Sequence, residues 1–220
     1  SDPESRVNIV RAGALEPLML GSRGDDENVH AECAATIYNL SLNERNKLKI
    51  SECEVLKDMI NLSQSEHIET CKQACGSLAN LAENERTHEK MVLANPTFAY
   101  LSVRARSHSN VTVRRQACRA LSNLSTNKEM HEKLITDGAP MALVACTKSH
   151  DRLSQRFGAA GLVNLTTIAK NHPAVLEAEP VSPLVNLINK LSEDYEEQQK
   201  SVEDEGIEAG ESRLDRKSVV

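Results

Sequence analysis

The chain of 220 residues has no Trp, two Phe and three Tyr. A core with so few rings has to be filled mainly by Leu, Ile, Val and Ala, which suits helices packed closely on one another. No apolar run approaches the ~18 residues that a membrane-crossing helix requires. No charged-then-apolar leader opens the chain either, so a cytoplasmic location is expected. Several catalytic signatures are missing: there is no G-x-S-x-G, no G-x-x-x-x-G-K-[ST] phosphate loop and no H-E-x-x-H. An enzyme is not expected, and nothing calls for a cofactor. The six Cys are spread through helical text rather than clustered in loops, and they read as reduced, buried thiols.

What is present is repetition. Ala34 to Ser41 reads AATIYNLS, Gln73 to Ala82 QACGSLANLA, Ala117 to Ser125 ACRALSNLS and Ala159 to Thr166 AAGLVNLT. Each contains Asn-Leu followed by a small residue, at Asn39, Asn80, Asn123 and Asn164, spaced 41, 43 and 41 residues apart. A fixed period of this length marks stacked supersecondary units. Aligned on the Asn, Ala34, Cys75, Cys118 and Ala159 stand five before it. Ile37, Leu78, Leu121 and Leu162 stand two before, and Leu40, Leu81, Leu124 and Leu165 one after. Offsets of three and four place these on one buried helical stripe, with the Asn beside it.

Each long helix is preceded by two shorter apolar segments. Their junctions fall at Gly13, Cys53, Asn95, Gly138 and Glu179, spaced 40, 42, 43 and 41 residues apart. Polar clusters such as Ser63-Gln64-Ser65 and Ser149-His150-Asp151 stand ready to cap the long helices. Lys47, His88, His131 and His172 each lie eight residues beyond a repeat Asn, and they read as exposed polar positions on the next short helix. His67, Cys71 and Cys75 recur every four residues along one face, but Cys75 occupies a core slot, so packing is expected rather than a metal site.

A three-helix unit with Gly after its first helix and A-x-x-L-x-N-L in its third resembles the armadillo repeat. The resemblance implies an all-α, right-handed α-solenoid with three helices per repeat. It covers four full repeats, near 5–43, 44–84, 85–127 and 128–170, and a partial fifth at 171–191, so the array spans 1–191. Two-helix HEAT repeats fit less well, because they lack this Asn. Val7, Ile9 and Val10 give the first repeat no polar cap, which suggests a piece of a longer array.

In armadillo proteins the third helices line a concave groove, and this Asn holds the backbone of an extended peptide. By resemblance Asn39, Asn80, Asn123 and Asn164 do the same. An amide side chain offers both a donor and an acceptor to a peptide unit without sheet partners. Nuclear-import receptors of this family carry Trp four residues before the Asn. Here Ala35, Gly76, Arg119 and Ala160 stand there, which argues against import cargo. Lys72, Arg115, Arg119 and Arg156 on the same helices suggest a partly basic groove for acidic or mixed-charge segments, as in β-catenin-like grooves.

The expected role is a protein-interaction scaffold. Regulation of an enzyme such as a small GTPase is the alternative, since armadillo arrays also do that. Nucleic acid is not an expected partner, because the array is neutral and lacks stacking rings.

The tail, 192–220, carries ten acidic and four basic residues, hence the whole net charge of −6. It reads as disordered. Residues 193–220 could fill the groove of their own or a second copy. Ser218 to Val220 resembles a PDZ-domain ligand, with Ser two before a terminal Val.

Overall fold

The computed structural model describes residues 2–52, 54–94 and 97–195. Among these there is no strand, and no helix is long and apolar enough to cross a membrane. Two units are distinguished, Ser1–Pro180 and Val181–Val220.

The first unit is built from successive helix triplets. The first comprises α1 (Pro3–Arg11), α2 (Leu15–Ser22) and α3 (Glu27–Ser41). The second comprises α4 (Glu44–Ser51), α5 (Val55–Leu62) and α6 (Ile68–Leu81). Then follow α7 (His88–Leu93), α8 (Thr97–Ser107) and α9 (Val111–Leu124). The fourth comprises α10 (His131–Thr136), α11 (Ala139–Thr147) and α12 (Arg152–Thr166), and α13 (His172–Leu176) opens another. Short 3-10 turns at Glu85–Thr87, Lys128–Met130 and Ala169–Asn171 lead into α7, α10 and α13. In the second unit, residues 181–195 form one helix, α14. Residues 192–195 therefore continue a helix rather than beginning a disordered tail. The rest of the tail, with its proposed groove occupancy and PDZ-like end, lies outside the described residues.

The junction positions behave as their spacing requires. Gly13 and Gly138 adopt φ of 87° and 82°, where a side chain is strained. Glu179, one period on, takes the same left-handed conformation at φ 54° without being glycine. The other two junctions, Cys53 and Asn95, are not among the described residues.

Long helices stack on long helices: α3 packs on α6, α6 on α9 and α9 on α12. Their apolar stripe is the core. Ile37, Leu78, Leu121 and Leu162 are buried, as are Leu40, Leu81, Leu124 and Leu165. Small residues let the layers approach. A methyl group on Gly158 of α12 would meet the Leu143 carbonyl oxygen of α11 at 2.6 Å. Cys71 and Cys75 form a buried cluster with Val113, and the Cys71 thiol donates to the Ser63 carbonyl at 3.1 Å. Both thiols are packing groups.

Long-helix N-termini are capped by Asp26, His67, Asn110 and Asp151. At α6 the cap is thus the His67 ring nitrogen rather than a serine oxygen; Ser65 instead accepts from the His67 N–H.

The C-termini of the long helices hold the clearest departure from the sequence reading. Their last carbonyls need donors, and the next short helix crosses close enough to supply them. His88 donates through Nε2 to the Ala82 carbonyl at 2.8 Å, and His131 to that of Ser125 at 2.8 Å. Both rings are buried, not exposed as their spacing suggested, whereas His172 makes the same bond to Thr166 while exposed. Asn171 completes the arrangement, donating Nδ2 to the Leu165 carbonyl and to His131 Nδ1, each at 2.9 Å. Met130 stands one period earlier and cannot donate, so His88 Nδ1 is buried without a partner among the described residues.

Candidate functional site

The repeat Asn side chains stand on α3, α6, α9 and α12, near the C-terminal end of each helix. Three of the four reach back to the preceding long helix. Asn80 Nδ2 donates to Ser41 Oγ at 2.9 Å, and Asn123 Nδ2 to the Ala79 carbonyl at 3.3 Å. Asn164 Nδ2 donates to Ser125 Oγ at 3.1 Å and more weakly to the Ser122 carbonyl at 3.4 Å. These bonds cross the stack once per period and fix the amide orientation. Asn123 and Asn164 stay half-buried; Asn123 keeps one N–H and its Oδ1, and Asn164 its Oδ1, without a protein partner among the described residues. Asn39, on the first long helix, is exposed and makes no such bond.

Asn80 differs. It is 1% exposed, because the Arg119 guanidinium from α9 lies across it. Arg119 Nη2 donates to Asn80 Oδ1 at 2.5 Å and to the Gly76 carbonyl at 3.4 Å, and its Nη1 approaches Glu83 Oε1 at 3.5 Å. Glu83, in the turn after α6, also takes Lys47 Nζ at 2.8 Å, and Lys47 pairs with Glu44 at 2.8 Å. Lys47 is only 4% exposed, again contrary to the sequence reading. Burial works against its charge, but the bonds to Glu44 and Glu83 outweigh it and hold its pKa above the ordinary value. One network therefore ties three repeats together over the second rung: Lys47, Glu83, Arg119, Asn80, Ser41.

The basic residues are less free than their sequence suggests. Arg115 forms a two-pronged pair with Asp151, Nε to Oδ2 at 2.8 Å and Nη2 to Oδ1 at 2.5 Å. Asp151 is meanwhile the N-cap of α12, accepting from the Ser154 N–H at 2.8 Å and its hydroxyl at 2.7 Å. The Arg115 guanidinium, followed by the Ser154 donors, holds its carboxyl far below the usual range. Lys72 pairs with Glu69 at 2.6 Å on its own helix. Of the four cations singled out in sequence, Arg156 alone is exposed and without an ion pair among the described residues. Counting charge along the long helices misses Glu83 and Asp151, which arrive from turns packed against them.

Tyr38 was also missed. A Cβ on Gly76 would meet its ring at 2.7 Å, so the ring lies flush against α6 beside Asn39. The signal was present: the chain's smallest residue stands where its sisters are Ala or Arg.

No protein-family model matches the chain, and no curated protein matches it. Solved structures do. A designed armadillo repeat protein in complex with the peptide (KR)4 superposes with a TM-score of 0.78 at 23% identity, covering 84% of this chain and 79% of that one. A computationally designed armadillo repeat protein for modular peptide recognition gives 0.78 at 24% identity, covering 83% of this chain and 78% of the other. An engineered protein gives 0.79 at 24%, over 86% and 77%. The chain has the armadillo-repeat fold: an all-α solenoid of three-helix repeats.

Proposed function

We propose that this chain is a non-enzymatic scaffold that binds extended segments of partner proteins across its long-helix face. The observation that carries the reading is the amide ladder: Asn123 and Asn164 are oriented by bonds to the preceding helix, Asn123 retaining a donor and an acceptor and Asn164 an acceptor. Asn39 continues the row, exposed. Helix layers repeat at roughly 8–10 Å and an extended peptide advances ~3.3 Å per residue, so one rung serves about three peptide residues. The likeness to designed proteins named for peptide recognition supports this use of the fold. Asn80 joins the ladder only if Arg119 swings away, which makes the second rung a closed position in the free protein.

Acidic or mixed-charge segments are the proposed partners. Arg156 offers an unpaired cation, and a partner carboxylate could exchange with Glu83 at Arg119 or Glu69 at Lys72. The basic peptide of the designed neighbour is not carried over, because the slot that takes Trp in import receptors holds Arg119 in the third repeat.

The test is selection of twelve-residue peptides against the wild type, followed by affinity measurement on Asn39→Ala/Asn164→Ala. Each amide contributes ~1 kcal/mol, so the double substitution should weaken binding roughly 30-fold. Acidic sequences should dominate the selected pool. Peptides that bind the double variant undiminished would refute the long-helix face as the site.

A further inference from the structure

Beside the face just described lies a cavity of about 260 Å³ between the third and fourth helix triplets. Arg106 from the end of α8, Arg114 from α9, and Lys148 and His150 from the α11–α12 turn line it. Among the described residues its only lining carboxylate is Asp151, and both oxygens of that group are taken by Arg115. Arg114 spends one nitrogen on the His108 and Ser109 carbonyls. Arg106, Lys148 and His150 are exposed and make no ion pair among the described residues. Elsewhere on the long helices Lys72, Arg115 and Arg119 are matched by carboxylates. Here Arg106 and Lys148 bring unmatched charge to one cavity, and the first turns of two long helices add the positive ends of their dipoles.

We propose that this cavity takes a phosphate monoester, carried by a Ser or Thr side chain of a bound partner segment. A tetrahedral dianion matches two guanidinium forks and an ammonium better than a single carboxylate does. The Arg115–Asp151 pair joins the cavity wall to the helix face carrying Asn123, so a segment crossing α9 and α12 near their first turns would bring a phosphorylated side chain to the opening. Only the carrier of the phosphate rests on the peptide-binding reading; the cavity stands without it.

Amide NMR titration of the full chain tests this with a short glycine peptide bearing a central phosphoserine. The same peptide without phosphate, and inorganic phosphate, serve as comparison ligands. The phosphopeptide should shift amides in 105–106 and 148–154 and bind at least about tenfold more tightly than either comparison ligand. Arg106→Gln/Lys148→Gln, both exposed substitutions, should remove that preference without changing thermal stability, and Lys170→Gln, at an exposed cation outside both sites, should leave it intact. The proposal is overturned if shifts fall elsewhere, if the double variant binds equally well, or if Lys170→Gln weakens binding as much. Inorganic phosphate binding as tightly as the phosphopeptide would overturn the partner-borne carrier. Loss of peptide affinity in Asn39→Ala/Asn164→Ala reads the helix face separately, so the two ideas can fail independently.

Discussion

Replacing Asp151 with Asn would show whether the Arg115 charge is structural or available. Asn keeps an oxygen for the Ser154 N–H, so the α12 cap survives, while the ion pair with Arg115 is lost. Two charge-assisted bonds disappear, at 2.8 and 2.5 Å. The Asp151 side chain is 14% exposed and Arg115 30%, so solvent screens the pair only in part. Bonds to charged groups contribute ~1.5 kcal/mol or more each; discounting for that exposure leaves a loss of about 1.5–2 kcal/mol. At roughly 2–4 °C per kcal/mol for a chain of this length, Tm should fall by about 3–8 °C. Thermal melts followed by circular dichroism at pH 7 measure it, and a double-mutant cycle with Arg115→Met isolates the pair.

The pH dependence has a definite sign. The folded carboxyl titrates well below its unfolded value. Its stabilisation is therefore complete above an unfolded pKa of ~3.9 and is lost as pH falls from there toward the folded value. The gap between wild type and Asp151→Asn should be flat from pH 8 to about 5 and should narrow below pH 4. Equal melting of the two proteins at pH 7, or a zero coupling energy, would refute the argument and return Arg115 to the pool of free cations.

Three further substitutions test the fold's devices. Glu179→Gly removes a side chain from a left-handed position at φ 54° and should stabilise by about 0.5–1 kcal/mol in urea unfolding, after the entropy cost of glycine is subtracted. Gly158→Ala forces a methyl against the Leu143 carbonyl at 2.6 Å and the Thr147 nitrogen at 3.0 Å. It should destabilise by roughly 1–2 kcal/mol despite better helix propensity; a stability gain would mean the α11–α12 contact is loose. Asn171→Ala leaves His131 Nδ1 and the Leu165 carbonyl buried without that donor, for a loss of ~1–3 kcal/mol by the same urea measurement.

Much of the fold was legible because it is written in short-range offsets. The Asn period located the long helices, and positions two before and one after each Asn are buried in all four. The left-handed junctions at Gly13, Gly138 and Glu179 fell where the spacing put them. The candidate face was legible only as a set of positions. Its state in the free protein depends on residues some 36 to 43 positions away, among them Asp151 on Arg115 and Glu83 and Gly76 on Arg119. Such partners obey no short period.

His88 and His131 show the same limit from the other side. Along their own helices they look like ordinary polar positions. They are buried because the carbonyl ends of α6 and α9 need donors there, a demand created by the crossing of two helices. The sequence by itself determined that the chain is a stack of three-helix units with small and aliphatic residues inside, because the helical turn converts spacing directly into a face. Tertiary structure alone decided which of the predicted binding groups remain free. Asn39 and Arg156 are open, Asn123 and Asn164 are half-committed, and Asn80, Arg115 and Arg119 are held by groups from neighbouring repeats. Charge pairing and hydrogen bonding act across space, and the distance between two side chains on adjacent repeats is set by packing that no single repeat encodes.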